Sequence, residues 1–287
     1  MKTYIVSKGI YFFIAAFTFI AISGCDSTNS DDEAPEVIPS EVFLLPVDLF
    51  NQAASQSAAE PVAAQPVTES ASQSSMPGVN FTSAALRVWP VSLLISANLI
   101  IPSVTTIQAL DATPVFEDGA WIWTSAADNN GQTIEFNLSA TRNGNATNWS
   151  MKISSTGGLQ GQELSDFELF TAETSEDGEI GSWQLFYFIN GASQNVLNAT
   201  YANTSATEKA ITFSIPESAG QGAGDSVEYR ENGDERSFIW EQVAESISHN
   251  ITWNAMTTVG SISATNFNGG SMGCWDEGLE DVACSPS

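Results

Sequence analysis

This chain of 287 residues carries 34 acidic residues against 8 basic ones, a formal net charge of −26. Its few basic residues are scattered, so no patch exists to meet a nucleic-acid backbone or an anionic lipid surface. An acidic, Lys-poor composition rich in Ser, Thr and Asn is instead a device for staying soluble in salt.

The first element is a leader. Lys2 and Lys8 form its positive end, and Ile10 to Ile22 is almost wholly apolar, with Phe12, Phe13, Ile14, Phe17, Phe19 and Ile20 at its heart. Such a run has the length of a secretory h-region and falls short of the roughly 20 residues a spanning helix needs. It ends in Ala21-Ile22-Ser23-Gly24-Cys25, a cysteine directly behind two small residues. This stretch resembles a bacterial lipobox, with Ala21 where Leu is commonest. The resemblance implies that residues 1–24 are a lipoprotein signal peptide and that the mature chain begins at Cys25. It also implies that Cys25 carries a diacylglycerol thioether and an acylated amine. At ~0.8 kcal/mol per buried CH2, several acyl chains anchor a protein effectively permanently. The implied partner is a membrane and the implied location the bacterial cell envelope, at the outer membrane. An ordinary secretory signal and an uncut anchor helix are the other readings of these residues.

Residues 25–80 read as an acidic, low-complexity tether. A Pro/Ala/Ser/Gln/Glu mixture cannot bury enough apolar surface to offset the entropy of ordering. The exception is Glu41-Val-Phe-Leu-Leu-Pro-Val-Asp-Leu-Phe50, expected to dock on the main domain as a short extended segment. The acidic cluster Asp31-Asp32-Glu33 resembles signals that send some Bacteroidetes lipoproteins to the outer cell surface; such runs also occur in plain linkers.

Residues 81–287 form the expected globular domain. Val88 to Ile101 is its most hydrophobic part, including Val91, Leu93, Leu94, Ile95, Leu99, Ile100 and Ile101. Proline sits well in a helix's first turn. Pro90 and Pro102 therefore predict one helix over about 90–101 and a shorter one from Pro102 to about Leu110. A helix apolar on all sides is expected to be buried on all sides.

After residue 110, seven Asn-Gly or Asp-Gly dipeptides punctuate the chain, at 118, 130, 143, 177, 190, 232 and 268. These pairs accept the positive φ that tight hairpin turns demand. Between them the chain alternates, as in Ile134-Glu-Phe136-Asn-Leu138 and Ile211-Thr-Phe213-Ser-Ile215. Period two with one dry face marks half-buried antiparallel strands. About eleven are predicted: 120–126, 132–141, 147–155, 165–174, 180–189, 195–202, 208–215, 225–231, 236–244, 248–255 and 257–266. The expected fold is therefore all-β: an antiparallel meander that curls into a curved sheet, half-barrel or barrel to escape open edges. The apolar helices are its natural filling. This arrangement resembles, in architecture alone, the carrier and receptor proteins of the Lol system, which wrap a curved sheet around helices and hold acyl chains.

Chemistry is sparse. His249, the single histidine, lies in a strand-like run and is expected to be exposed; no Gly-x-Ser-x-Gly elbow presents a serine to it. Glu176-Asp177-Gly178-Glu179 and Glu231-Asn-Gly-Asp-Glu235 place carboxylates in hairpin turns, where solvated acids are ordinary. Asp128-Asn-Asn-Gly131 lacks the closing glutamate of a calcium loop. No phosphate-cradling loop exists, and no cofactor or metal is expected. Lipidation of Cys25 leaves Cys274 and Cys284 as an even pair, expected to form a disulfide in an oxidising compartment. Nine intervening residues do not suit the alternative, paired zinc ligands with Asp276, Glu277 or Asp281. Trp121, Trp123, Trp149, Trp183, Trp240 and Trp253 fall on alternation positions. Leu93, Leu99, Trp149 and Trp183 are the candidates to line either the core or an apolar ligand. Seven Asn-x-Ser/Thr sequons are by-products of composition if the lipobox reading holds. The expected function is a non-enzymatic, lipid-anchored binding or structural module of the envelope. The alternatives are a carrier for a lipid or other apolar ligand and, remotely, a glycan-active hydrolase using the turn carboxylates.

Overall fold

Hairpin turns set the architecture. At Asp118-Gly119 both residues take positive φ, 51° and 81°, the conformation of a two-residue turn whose twist matches the strands it joins. The computed structural model describes residues 33–35, 45–50, 77–129, 132–159, 162–189, 191–220 and 222–284. The leader, Cys25, most of the tether and the turn at Asn130-Gly131 lie outside the described residues.

The strands are Val115–Glu117 (β1), Ala120–Asn129 (β2), Gln132–Asn143 (β3), Ala146–Leu159 (β4), Gln162–Ser175 (β5), Ile180–Ile189 (β6) and Ala192–Ser205 (β7). They continue with Glu208–Ser214 (β8), Ser226–Asn232 (β9), Glu235–Gln242 (β10), Ile247–Asn254 (β11), Gly260–Ala264 (β12), Gly273–Trp275 (β13) and Asp281–Val282 (β14). All fourteen pair in chain order as one antiparallel sheet, which is curved and does not close. The eleven expected strands correspond to β2 to β12. β1, β13 and β14, with two or three residues each, are too short to show a period.

One face of the sheet is dry. Phe136, Leu138, Trp149, Met151, Phe170, Trp183, Phe213, Tyr229, Phe238, Ile251, Trp253 and Ile262 are all buried, and a helix, Val79–Leu110 (α1), packs against them. At 1.5 Å per residue its 32 residues reach about 48 Å. The two expected helices are thus one, beginning eleven residues early and running through Pro90. A mid-helix proline removes one backbone donor. Buried Phe81, Ala84, Ala85, Val88, Ile95 and Leu99 nevertheless hold the helix to the sheet. Packing of this kind outweighs a local breaker. All-round burial does not occur: Leu86 is 66% and Leu93 54% exposed. An open sheet covers the helix from one side only.

The start of α1 is clasped by the far end of the chain. The Asp281 carboxylate accepts from the backbone N–H of Val79 (3.1 Å) and of Asn80 (2.8 Å). Gly78 N–H donates to Leu279 O at 2.8 Å, and Asn80 Nδ2 to Cys274 O at 2.9 Å. Cys274 and Cys284 are bonded to each other. Between them Trp275 is fully buried, edge-on to Phe81 at 5.5 Å, its indole N–H donating to Thr258 O at 2.7 Å. Phe50 stacks on Phe81 at 5.6 Å and meets Trp253 edge-on at 4.9 Å. Leu45, Val47 and Phe50 are buried as the docking expectation requires, but residues 48–50 form a helical turn rather than extended chain.

Candidate functional site: the apolar slot beneath α1

From this clasp α1 crosses the strands of the concave face. Where Val91, Leu94 and Ile95 pass over β7 to β10, helix and sheet separate and leave a cavity of about 150 Å³. Its floor is apolar: Val196 and Leu197 from β7, Phe213 from β8, Val227 from β9 and Trp240 from β10. Ser214, Asp225 and Ser226 supply a polar rim.

The floor depends on an irregularity. Leu185 pairs with Leu197, whereas the next residue, Phe186, pairs with Asn195, so Val196 is the extra residue of a β-bulge. A bulge re-aims side chains and bends its strand. Here two successive residues, Val196 and Leu197, both face the slot, which strict alternation forbids.

A polar clamp stands beside the slot. Arg87, one turn before Val91, donates from Nε to His249 Nδ1 at 3.2 Å and from Nη1 to the Ser83 carbonyl at 2.8 Å. With Nδ1 accepting, His249 carries its proton on Nε2 and donates it to Gln242 Oε1 at 2.9 Å. The imidazole stacks on Trp240, ring centroids 4.9 Å apart, and Trp240 is part of the slot floor. His249 is therefore buried, not exposed as its strand position suggested. Burial lowers its pKa first, and the Arg87 charge lowers it further; Glu241 opposes both. Burial also lowers the pKa of Arg87, whose guanidinium lies over the Phe267 ring at 5.7 Å.

No family model, no curated protein and no solved structure matches this chain.

The four lining candidates divide. Leu99 and Trp183 meet beside Phe170 and Leu185, where only about 10 Å³ is left, so both are core residues. Trp149 is core too, stacked on Trp123 at 5.9 Å with its indole N–H donating to Thr174 Oγ1 at 3.1 Å. Leu93 is 54% exposed and is not among the residues lining the slot, because it sits on the helix face that the open sheet leaves uncovered. The slot residues themselves escaped sequence reasoning. Val91, Leu94 and Ile95 stand out only as members of the apolar run and Trp240 as an alternation position, and the bulge at Val196 leaves no signal.

The turn carboxylates belong to two different hairpins. Glu176 to Glu179 lie between β5 and β6, and Glu231 to Glu235 span the turn between β9 and β10. Asp177 is fully exposed, its pKa lowered by the Ser175 hydroxyl and the Glu179 N–H. Among the described residues no group of three His, Cys, Asp or Glu side chains is placed to hold a metal ion. No helix among them is long and apolar enough to cross a membrane.

Proposed function

We propose that this protein is a non-enzymatic, lipid-anchored module of the bacterial cell envelope that holds an acyl chain in the slot between α1 and β7 to β10. The observation that carries this reading is the slot itself, about 150 Å³ with an apolar floor and a polar rim on one side. Packing normally leaves no voids of this size. In other proteins an apolar cavity of ~150 Å³ stays dry and accepts benzene. The slot therefore takes a hydrocarbon segment of that bulk. The polar rim of Asp225, Ser214 and Ser226 gives the ligand a wet end. The lipobox-like Ala21 to Cys25 supplies the anchor.

Native mass spectrometry of the full chain, purified from its host membrane in mild detergent, tests the ligand. Adducts of acyl-lipid mass are expected, and Val196→Phe, which fills the slot, removes them without lowering the melting temperature. Bare polypeptide plus anchor mass in the wild type refutes the carrier reading. Labelling with radioactive palmitate tests the anchor independently: label enters the wild type and vanishes in Cys25→Ala. A Cys25→Ala protein that still takes label disproves the anchor assignment.

A further inference from the structure

The outer face of the sheet carries a second surface of different chemistry. Ser139, Ser150, Thr171, Gln184 and Asn198 stand in register across β3 to β7. Two residues along, Thr141, Asn148, Glu173, Ser182, Thr200 and Thr212 form a parallel row that reaches β8. Both rows line concavities, of about 530 and 610 Å³, which share Glu173, Ser182 and Thr200 and are therefore one trough. At ~4.8 Å between strands, the six-strand row is about 24 Å long.

The trough is not an ordinary solvated face of this protein. Among 34 acidic residues in the chain, Glu173 alone falls in these two rows, and no basic residue does. Charge returns at their edge, where Lys152 faces Glu168 and the Glu168 carboxylate accepts from the Ser150 hydroxyl at 3.1 Å. The small side chains also explain the hollow: on a twisted sheet, Ser, Thr and Asn leave open the space that Lys or Arg would cover.

The rows select against most ligands. One carboxylate does not make a metal site. An anionic polymer meets no cation here, and an apolar surface meets no exposed ring. The Ser139 and Ser150 hydroxyls donate within the protein and the Asn198 oxygen accepts from Asn195. Each remaining Ser or Thr hydroxyl both donates and accepts, and each Asn or Gln amide does both at separate atoms. That pattern complements a ligand that is itself covered in hydroxyls and carries no charge. We propose that the trough binds an uncharged polysaccharide laid across β3 to β8. Glu173, at mid-trough, accepts from two hydroxyls of one sugar unit. Exposed hydrogen bonds are individually weak, so affinity comes from repetition along the chain of sugars. This site is separate from the apolar slot, on the opposite face, and stands whether or not the slot is filled.

Native electrophoresis of the full chain in mild detergent, through gels cast with dextran, galactomannan, laminarin or alginate, tests the proposal. At least one of the three neutral polymers is expected to retard the protein, and anionic alginate is not. Thr171→Val with Thr200→Val keeps the β-branched shape and removes two hydroxyls. It should weaken retardation at least about fivefold, as two net hydrogen bonds would. Ser182→Arg, which plugs the middle of the trough, should have the same effect from an exposed position. Thr124→Val, on the same face but outside the rows, should change nothing. Free migration in all three neutral gels overturns the proposal. So does equal retardation by alginate, or wild-type binding by both trough variants.

Discussion

The opening turns of α1 and its middle are fastened to the same sheet in different ways. From Phe81 to Val88 the inner face of the helix is sealed: Phe81, Ala84 and Val88 have no solvent exposure, and Phe50, Trp253 and Trp275 close round them. One turn later the fit loosens. Val91 is half-buried, Leu94 is 58% exposed, and an apolar slot opens beneath them. A helix free to settle would close such a gap, since close packing is the default state of a protein interior. The difference teaches that the clasp is a mount. Asp281 and the aromatic cluster fix the height at which α1 crosses the sheet, and the slot exists because the helix is held above it.

Breaking the mount should therefore cost more stability than changing the slot. The largest effect is expected from Gly260→Ala. A Cβ on Gly260 overlaps the Trp275 ring and the Thr252 carbonyl oxygen, neither of which has room to move. Overpacking of this kind costs about 3 kcal/mol, a fall of roughly 10 °C in melting temperature for a domain of this size. A melting temperature unchanged by the alanine would mean that Trp275 is loosely held and the clasp is no mount. Next come Cys274→Ser and Cys284→Ser. Each should cost about 2–3 kcal/mol by releasing a short loop, and the double variant should match either single one. Free-thiol titration of the unfolded, non-reduced wild type should find neither cysteine reactive. Smaller again is Asp281→Ala, which leaves the Val79 and Asn80 N–H groups uncapped at about 1 kcal/mol. Hydrogen exchange should show those amides opening faster while the amides of β5 and β6 are unaffected. An equal acceleration in β5 and β6 would merge the two regions into one cooperative unit.

The smallest effect sharpens the boundary between mount and slot, where the Arg87–His249 clamp lies. His249 has a folded-state pKa below its ordinary value, because burial and Arg87 disfavour the second proton. The unfolded chain thus binds that proton more readily, and stability falls as pH falls. The contribution is complete above the unfolded value of about 6.5 and is lost as pH drops through the lowered folded value. Denaturation midpoints at pH 7.5 and 5.0 should differ more in the wild type than in His249→Asn, whose amide oxygen can still accept from Arg87. Identical differences in the two proteins would show that His249 does not titrate with folding.

The sheet was legible in the sequence because its information is local. Each strand from β2 to β12 carries its own period of two, and Asp118-Gly119, Asp177-Gly178 and Asn232-Gly233 mark reversals that the structure contains. What escaped notice depends on partners distant in sequence. Pro90 reads as a helix start, yet the helix begins at Val79 because a carboxylate some two hundred residues away caps it there. His249 reads as an exposed strand residue, yet Arg87 and Trp240 bury it. Leu93 reads as core on hydrophobicity alone, and only the open geometry of the sheet reveals that its side of the helix has no cover. The slot rests on a one-residue bulge at Val196, which changes pairing without changing composition.

The capping of α1 by Asp281 also orders the events of folding in time. Every strand pairs with its chain neighbour, so the sheet can zip up hairpin by hairpin with short loops closed at each step. The first turn of α1 has no such local partner. Its N–H groups wait for Asp281, separated from them by 201 and 202 positions, and closing so long a loop comes only after the intervening chain exists. A nascent chain stalled anywhere before β14 would expose the dry side of a growing sheet with its helix unmoored. Synthesis of nearly the whole domain thus precedes its final locking.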